Sequence, residues 1–452
     1  MALPPDYRSA LDTGLQATDQ WQAGFGPYDP HPSTHLAPEV VESVLTELTE
    51  RLGGNYPFFH PAYAGQMLKP PHPLAWVAYA LAQLHNTNNH ALDGGPATSA
   101  LEKEVVQALG RAFNLPEPCL GHLTSSGTVA NLEALWVARE LAPGKAIGYS
   151  TAAHYTHSRM CQVLGVEGVP IETDAEGRLS PEAFERVAHR LGTLVVTLGT
   201  TGTGAVDPLA DLLPLCRARG IRVHLDAAYG GFFYLIRQGL PQTADWAALS
   251  LADSLVVDPH KHGLQPYGCG CVLFADPAVG RLYRHDSPYT YFSSDELHLG
   301  EISLECSRAG AAAAALWATL RAFPLASDRG LGPILAACRL AAVRLNAALE
   351  ASAAFTPLLP PTLDICTYYP LAPSPATVSD RSQRIYAAGL AKPPHQQLHL
   401  SLYRAQPALV GRHFSDLPNE GAQVLRSVLL KPEHAEFVPE LMARLTQLAA
   451  ET

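Results

Sequence analysis

Lys261 stands near the end of the run Ser254-Leu-Val-Val-Asp-Pro-His-Lys-His-Gly263, where an apolar stretch breaks at Pro259 and delivers a His-Lys pair onto a loop. A lysine held where its ammonium loses water condenses with an aldehyde, which a solvated lysine does poorly. A single lysine is more often a surface charge, so the reading rests on what precedes it. Thr124-Ser-Ser-Gly-Thr-Val-Ala-Asn131 sets small hydroxyls and a glycine before a helix pattern over 128–141. N–H groups at such a helix start hold a phosphate, and an ordinary Ser/Thr N-cap looks the same. Thr151-Ala-Ala-His-Tyr-Thr-His157 follows a strand ending at Tyr149, which puts His154 where α/β sheets bind ligands, or makes it a hydrogen-bonded structural histidine. Leu198-Gly-Thr-Thr-Gly-Thr-Gly204 offers hydroxyls on a flexible turn, a pattern that turn chemistry alone also explains. His224-Leu-Asp-Ala-Ala-Tyr-Gly-Gly231 ends an apolar strand on Asp226, an acid suited to a protonated ring nitrogen or to a cap or ion pair. The alanines after it let a flat ring lie close. Phosphate cradle, ring platform, ring-nitrogen acid and Schiff-base lysine, in this order, describe a site for pyridoxal phosphate.

The elements that must position these residues alternate. Strand-like runs at 146–149, 194–198, 222–225, 254–257 and 270–274 are separated by helical stretches at 128–141, 181–190 and 209–219. This is an α/β layout with a largely parallel sheet. Ahead of it, Val40, Val41, Val44, Leu45, Leu48 and Leu52 recur at helical spacing in a helix over 38–52, inside an otherwise Pro-rich segment. Helices are also predicted at 73–83 and 99–113. After it come helices at 309–322 and 332–350, strands at 364–369, 397–403 and 423–430, and a helix at 436–449. The expected division is an N-terminal arm over 1–75, a large cofactor domain over 76–330 and a small α+β domain over 331–452. Such an arm packs on a neighbouring domain or subunit, or is a partly ordered tail.

Composition narrows the partners. A chain of 452 residues, 47% apolar, is long enough for more than one domain around a sizeable core. A net charge of −11 and a pI near 5.9, with no Lys/Arg run, argue against a nucleic-acid footprint and for a small-molecule substrate. The eight cysteines are scattered, and Cys269-x-Cys271 lacks a second ligand pair at zinc spacing, so no metal is expected. No signal-peptide pattern opens the chain, and no apolar run reaches the roughly 18 residues of a membrane span, so the cytoplasm is the expected compartment.

From about Phe59 to Pro432 the chain resembles the pyridoxal-phosphate-dependent amino acid decarboxylases, the group with aromatic amino acid, glutamate, tyrosine and aspartate decarboxylases. Asp258-Pro-His-Lys261, His224-Leu-Asp-Ala-Ala-Tyr229, Gly199-Thr-Thr201 and the strand-end His154 carry the likeness. It implies the aspartate aminotransferase-like fold of pyridoxal-phosphate-dependent transferases, with Lys261 as the Schiff-base lysine and His260 near the phosphate. It further implies that Ser126, Gly127 and Thr128 form the phosphate loop, that His154 stacks on the ring, that Asp226 holds its nitrogen, and that Ala228 covers the other face. Thr201 then lies near cofactor and substrate carboxylate. Arg426, in Leu425-Arg-Ser-Val-Leu-Leu-Lys-Pro432, matches an arginine that holds a substrate carboxylate, or forms a surface ion pair. Tyr289 or Tyr291, in the segment where the family has a mobile loop, would protonate the substrate carbon, unless that segment is simple packing.

The implied reaction is loss of carbon dioxide from an acidic or aromatic L-amino acid to give the amine, in a homodimer with sites at the interface. The Lys-x-Gly-x-x-Pro pattern at 261–266 is similar to bacterial and archaeal tyrosine or aspartate decarboxylases, and also to lyases of the sphingosine phosphate type. Ser303-Leu-Glu-Cys-Ser-Arg308 is similar instead to the Cys-Gly-Arg stretch of glutamate decarboxylases, with Ser307 in place of glycine. Competing expectations are another pyridoxal-phosphate lyase, an aminotransferase, an oxidative decarboxylase, or a cofactor-binding protein without turnover.

Overall fold

The structure, a computed structural model, describes residues 4–284, 303–415 and 420–452. Four helices lead: α1 (Pro5–Ala23), α2 (Pro38–Leu52), α3 (Pro73–His85) and α4 (Pro96–Ala112). Each opens on proline, whose fixed φ suits a first turn and whose missing N–H costs nothing there. Then follow β1 (Leu120–Thr124), α5 (Gly127–Leu141), β2 (Ala146–Ser150), α6 (Thr156–Leu164), β3 (Gly168–Ile171), α7 (Pro181–Val187), β4 (Leu191–Thr197) and α8 (Leu209–Arg217). β5 (Arg222–Asp226), α9 (Thr243–Ala247), β6 (Ser254–Val257) and β7 (Gly270–Phe274) complete the large sheet. The remainder is α10 (Gly310–Ala322), α11 (Leu331–Glu350), β8 (Phe355–Pro357), β9 (Ile365–Pro370), α12 (Pro375–Ala391), β10 (Ser401–Ala405), α13 (Pro407–Val410), β11 (Ala422–Val428) and α14 (His434–Glu451).

The large sheet has the order β1-β7-β6-β5-β4-β2-β3. From β6 to β3 its neighbours are parallel, while β7 runs antiparallel to both β6 and β1. β4, β6 and β7 are buried at every residue, as expected of strands covered by helices on both faces. Since β1 is antiparallel to β7 and β7 to β6, the carboxyl ends of β1, β2, β4, β5 and β6 all open on one edge. The small antiparallel sheet, β10-β11-β9-β8, carries a second core with α11, α12 and α14, built on Tyr368, Leu345, Ile385, Leu425 and Leu445.

The α/β architecture is the one expected, and the differences are local. α1, β1, α6, β3 and α12 do not stand out in the apolar pattern: β1 is five residues with a buried His122 in the middle, so its pairing with β7 rather than its own pattern makes it a strand. α11 is apolar and long enough to cross a membrane by length and composition. Its buried Leu331, Leu335, Ala342, Leu345 and Leu349 nevertheless recur at helical spacing and pack inside the two cores, the behaviour of an amphipathic core helix. α2 is the expected helix, and all six residues of its apolar stripe are 41–59% exposed.

Candidate active site

The loops leaving the carboxyl ends of these strands enclose a cavity of about 260 Å³ lined by Ser126, Gly127, Thr128, His154, Thr201, Asp226, Ala228, His260 and Lys261. That is the place where open α/β sheets bind ligands. Residues spread over 136 positions of chain thus meet because five strands point the same way. Asn131, Tyr155, Thr156, Thr197, Gly199, Tyr229 and Asp258 join them.

At one end lies the start of α5. Ser126 caps it, its hydroxyl accepting the Val129 N–H at 3.3 Å. Among the described residues the N–H groups of Gly127 and Thr128 meet no acceptor, which leaves two donors and the helix dipole facing the cavity. A side chain at Gly127 is excluded, because a Cβ there would fall 2.6 Å from Asp258 Oδ2. Behind it, Asn131 donates to Gly127 O at 2.8 Å and accepts from His224 Nε2 at 2.9 Å, and His224 Nδ1 accepts from Ser254 Oγ at 2.8 Å. This chain across β6, β5 and α5 fixes the first turn. Burial holds the His224 imidazole down to about 3, and its partners suit the neutral ring.

Asp226 ends β5 with both oxygens engaged. His157, on the first turn of α6, donates from Nε2 to Oδ2 at 2.8 Å, and the Ala228 N–H reaches Oδ1 at 3.2 Å. Burial alone pushes a carboxyl up, but the His157 hydrogen bond and the charges of His157 and Lys261 outweigh it and hold Asp226 well below the usual range. His154 Nδ1 accepts the Thr156 N–H at 3.2 Å, so the neutral ring carries its proton on Nε2. Burial lowers its pKa, with Asp226 pulling the other way. Lys261 Nζ lies 2.9 Å from Asp258 Oδ2. Asp258 Oδ1 is buried without a hydrogen-bond partner among the described residues. His260 Nδ1 donates to Cys269 O at 2.7 Å, and its ring lies 4.7 Å from that of Tyr267.

Two expectations fall elsewhere. Arg426 is buried but does not line the cavity: its guanidinium donates to Thr201 O at 2.7 Å, Gly202 O at 3.1 Å and Ser401 Oγ at 3.1 Å, holding the Thr201 turn from behind. Tyr289 and Tyr291 lie outside the described residues. Sequence reasoning missed His157, Asp258 and Asn131. Asp258 had a signal in its i,i+3 spacing to Lys261, and His157 in its i+3 spacing from His154 across the α6 start.

The donor set fits pyridoxal phosphate: free N–H groups at a helix start for the phosphate, a buried ionised acid for a ring nitrogen and a lysine amine for the aldehyde. Comparison with known proteins gives the same class. A family model described as the pyridoxal-dependent decarboxylase conserved domain matches residues 59–355, and the chain belongs to that family. It is a pyridoxal-phosphate-dependent amino acid decarboxylase, a carboxy-lyase. It is 31% identical over 307 residues to a probable L-tyrosine/L-aspartate decarboxylase of Methanoculleus marisnigri, covering 67% of this chain and 80% of that one. With an L-tyrosine decarboxylase of Enterococcus faecium it shares 27% identity over 76% of this chain and 75% of the relative. In fold it is similar to an Oryza sativa TDC solved with PLP and tryptamine, with a TM-score of 0.79 and 18% identity over 100% of this chain and 99% of the other.

Proposed function

We propose that this enzyme decarboxylates an aromatic or acidic L-amino acid, with Lys261 as the residue that holds the cofactor. The observation that carries the assignment is one cavity lined by Lys261, Asp226 and His154, with Asp226 kept ionised inside the protein by His157. The two relatives named for tyrosine, or for tyrosine and aspartate, support the substrate classes.

Gly127 and Thr128 N–H, with the Ser126 and Thr128 hydroxyls, would take the phosphate, Asp226 the ring nitrogen, and Lys261 Nζ the aldehyde. Bound there, pyridoxal phosphate supplies an electron sink for the bond between Cα and the carboxylate. Asp226 keeps a proton at the ring-nitrogen position by remaining an anion, and His157 and the Ala228 N–H fix which way its oxygens point. Ala228 leaves room for a flat ring, and His154 brings an aromatic face and an Nε2 proton to the same cavity. Thr201 faces the substrate, while Arg426 steadies its turn through the main chain. Asp258 accepts from Lys261 Nζ and keeps that amine directed at the cavity. Tyr289 and Tyr291 remain the proposed proton donors to Cα.

We further infer a homodimer, supported by the exposed apolar stripe of α2, and a reducing, cytoplasmic setting, supported by eight free cysteines. The substrate assignment is tested by carbon dioxide release and amine formation from a panel of L-amino acids. Turnover of tyrosine, another aromatic, aspartate or glutamate is expected. Carbon dioxide released with an aldehyde in place of the amine would replace this reading by oxidative decarboxylation, and a keto acid formed without carbon dioxide would replace it by transamination.

A further inference from the structure

His262, the residue after Lys261, is 1% exposed and faces two acceptors. Its Nδ1 donates to Tyr229 O at 3.1 Å, and its Nε2 lies 2.9 Å from Asp364 Oδ2. Tyr229 OH donates to the other carboxylate oxygen, Oδ1, at 2.5 Å. A carbonyl oxygen only accepts, so Nδ1 must carry a proton; the Nε2–Oδ2 contact then needs one more, on either His262 or Asp364. The three groups share a closed set of hydrogen bonds, and Tyr229 and Phe233 box the imidazole edge-on at 4.7 and 4.9 Å. Tyr229 and His262 come from the two loops that carry Asp226 and Lys261. Asp364 comes from the segment entering β9 of the small sheet, where its own carbonyl accepts the Leu429 N–H at 2.8 Å.

We infer that Asp364 is a positioning residue of the active site, a latch from the small sheet that fixes the Lys261 loop through His262 and the Asp226 loop through Tyr229. The latch touches no reacting atom. It ties the aldehyde-holding and ring-nitrogen-holding loops to one carboxylate, so their separation depends on the small sheet staying seated. The inference rests on the reading of Lys261 as the cofactor-holding residue.

The test uses the full chain, stripped of cofactor and titrated with pyridoxal phosphate, and compares Asp364→Ala, Asp364→Asn, Tyr229→Phe and, as a destabilised control in the second core, Leu445→Ala. Asp364→Ala removes both side-chain bonds to the carboxylate, leaving only the His262 Nδ1–Tyr229 O bond between the two loops, and is expected to raise the cofactor Kd tenfold or more. It is also expected to speed acylation of Lys261 in the cofactor-free protein, read by peptide mass spectrometry. Asparagine can accept from Tyr229 OH and donate to the Nε2 of a neutral His262, so Asp364→Asn is expected to bind within threefold of the parent. Tyr229→Phe removes one bond with little change of volume and is expected to weaken binding several-fold, which keeps the test open should the alanine variant not fold. Leu445→Ala is expected to lower thermal stability and leave the Kd unchanged.

A parent-like Kd and Lys261 acylation rate in Asp364→Ala and Tyr229→Phe would overturn the latch, as would equal weakening in Leu445→Ala. Loss in Asp364→Asn matching that in Asp364→Ala would overturn the hydrogen-bonded form of it. Lys261→Ala is the separate arm: cofactor still fixed to that variant by borohydride would refute the role of Lys261 itself, whatever the Asp364 variants do.

Discussion

Asp226 is buried and yet ionised, and the reason is a histidine three residues beyond the one the sequence points to. His157 spends its Nε2 proton on Oδ2 of Asp226. A hydrogen bond to a charged group is worth about 1.5–3 kcal/mol, and about 1.4 kcal/mol is tenfold in rate. His157→Leu is therefore expected to lower kcat roughly 10- to 100-fold with a smaller change in KM, and His157→Gln, which returns an N–H near the Nε2 position, to recover part of it. Steady-state kinetics check this, and a leucine variant with parental kcat would remove His157 from the mechanism. At this scale the sequence was partly legible. Lys261, Asp226, His154 and Ser126–Thr128 could be read because each sits in a short motif at a strand end or helix start. Asp364, 102 positions from His262, could not, because nothing local marks a residue whose partner arrives from another sheet.

Among the elements, β5 and α5 are coupled through the neutral His224. In the unfolded chain an imidazole has its ordinary value of 6.5, and in the fold His224 is held to about 3. A base whose pKa is lowered by folding stabilises the fold above its unfolded value. As pH falls below 6.5 the unfolded chain gains a proton that folded His224 refuses, so stability falls by up to about 1.4 kcal/mol per pH unit from this group. His434 is likewise held to about 3 by burial and acts in the same direction. Asp226, with its pKa lowered, acts only below its ordinary value of 3.8. Burial pushes Asp207 up to about 7, which opposes this decline, so urea midpoints measured from about pH 6.5 to 4 are expected to fall more steeply in the parent than in His224→Asn. Equal slopes would show that His224 is protonated in the fold. The strands that position the site were legible where they are continuous apolar runs, as in β4 and β6. β1 and β3 were not, being short strands at the two edges whose identity comes from pairing.

For the whole molecule, the α/β class followed from the alternation of strands and helices, but the shared direction of β1 with the parallel strands depends on β7 reversing twice, which no periodicity shows. The arm is the other whole-molecule feature. The α2 stripe is 41–59% exposed, and Trp21, Phe25, Tyr28 and Leu36 are each more than half exposed; exposed apolar surface of this extent marks an interface. Light scattering is expected to give twice the 48.4 kDa chain mass, and Val44→Asp with Leu48→Asp to shift it toward one chain. A monomeric parent at micromolar concentration would contradict the dimer.

The most direct measurement is peptide mapping of the cofactor-loaded chain after borohydride reduction, which fixes the cofactor to the amine that holds it. The label is expected on the peptide containing Lys261, with its loss in Lys261→Ala. A label on any other lysine, or none in a chain that still releases carbon dioxide from an amino acid, would contradict it.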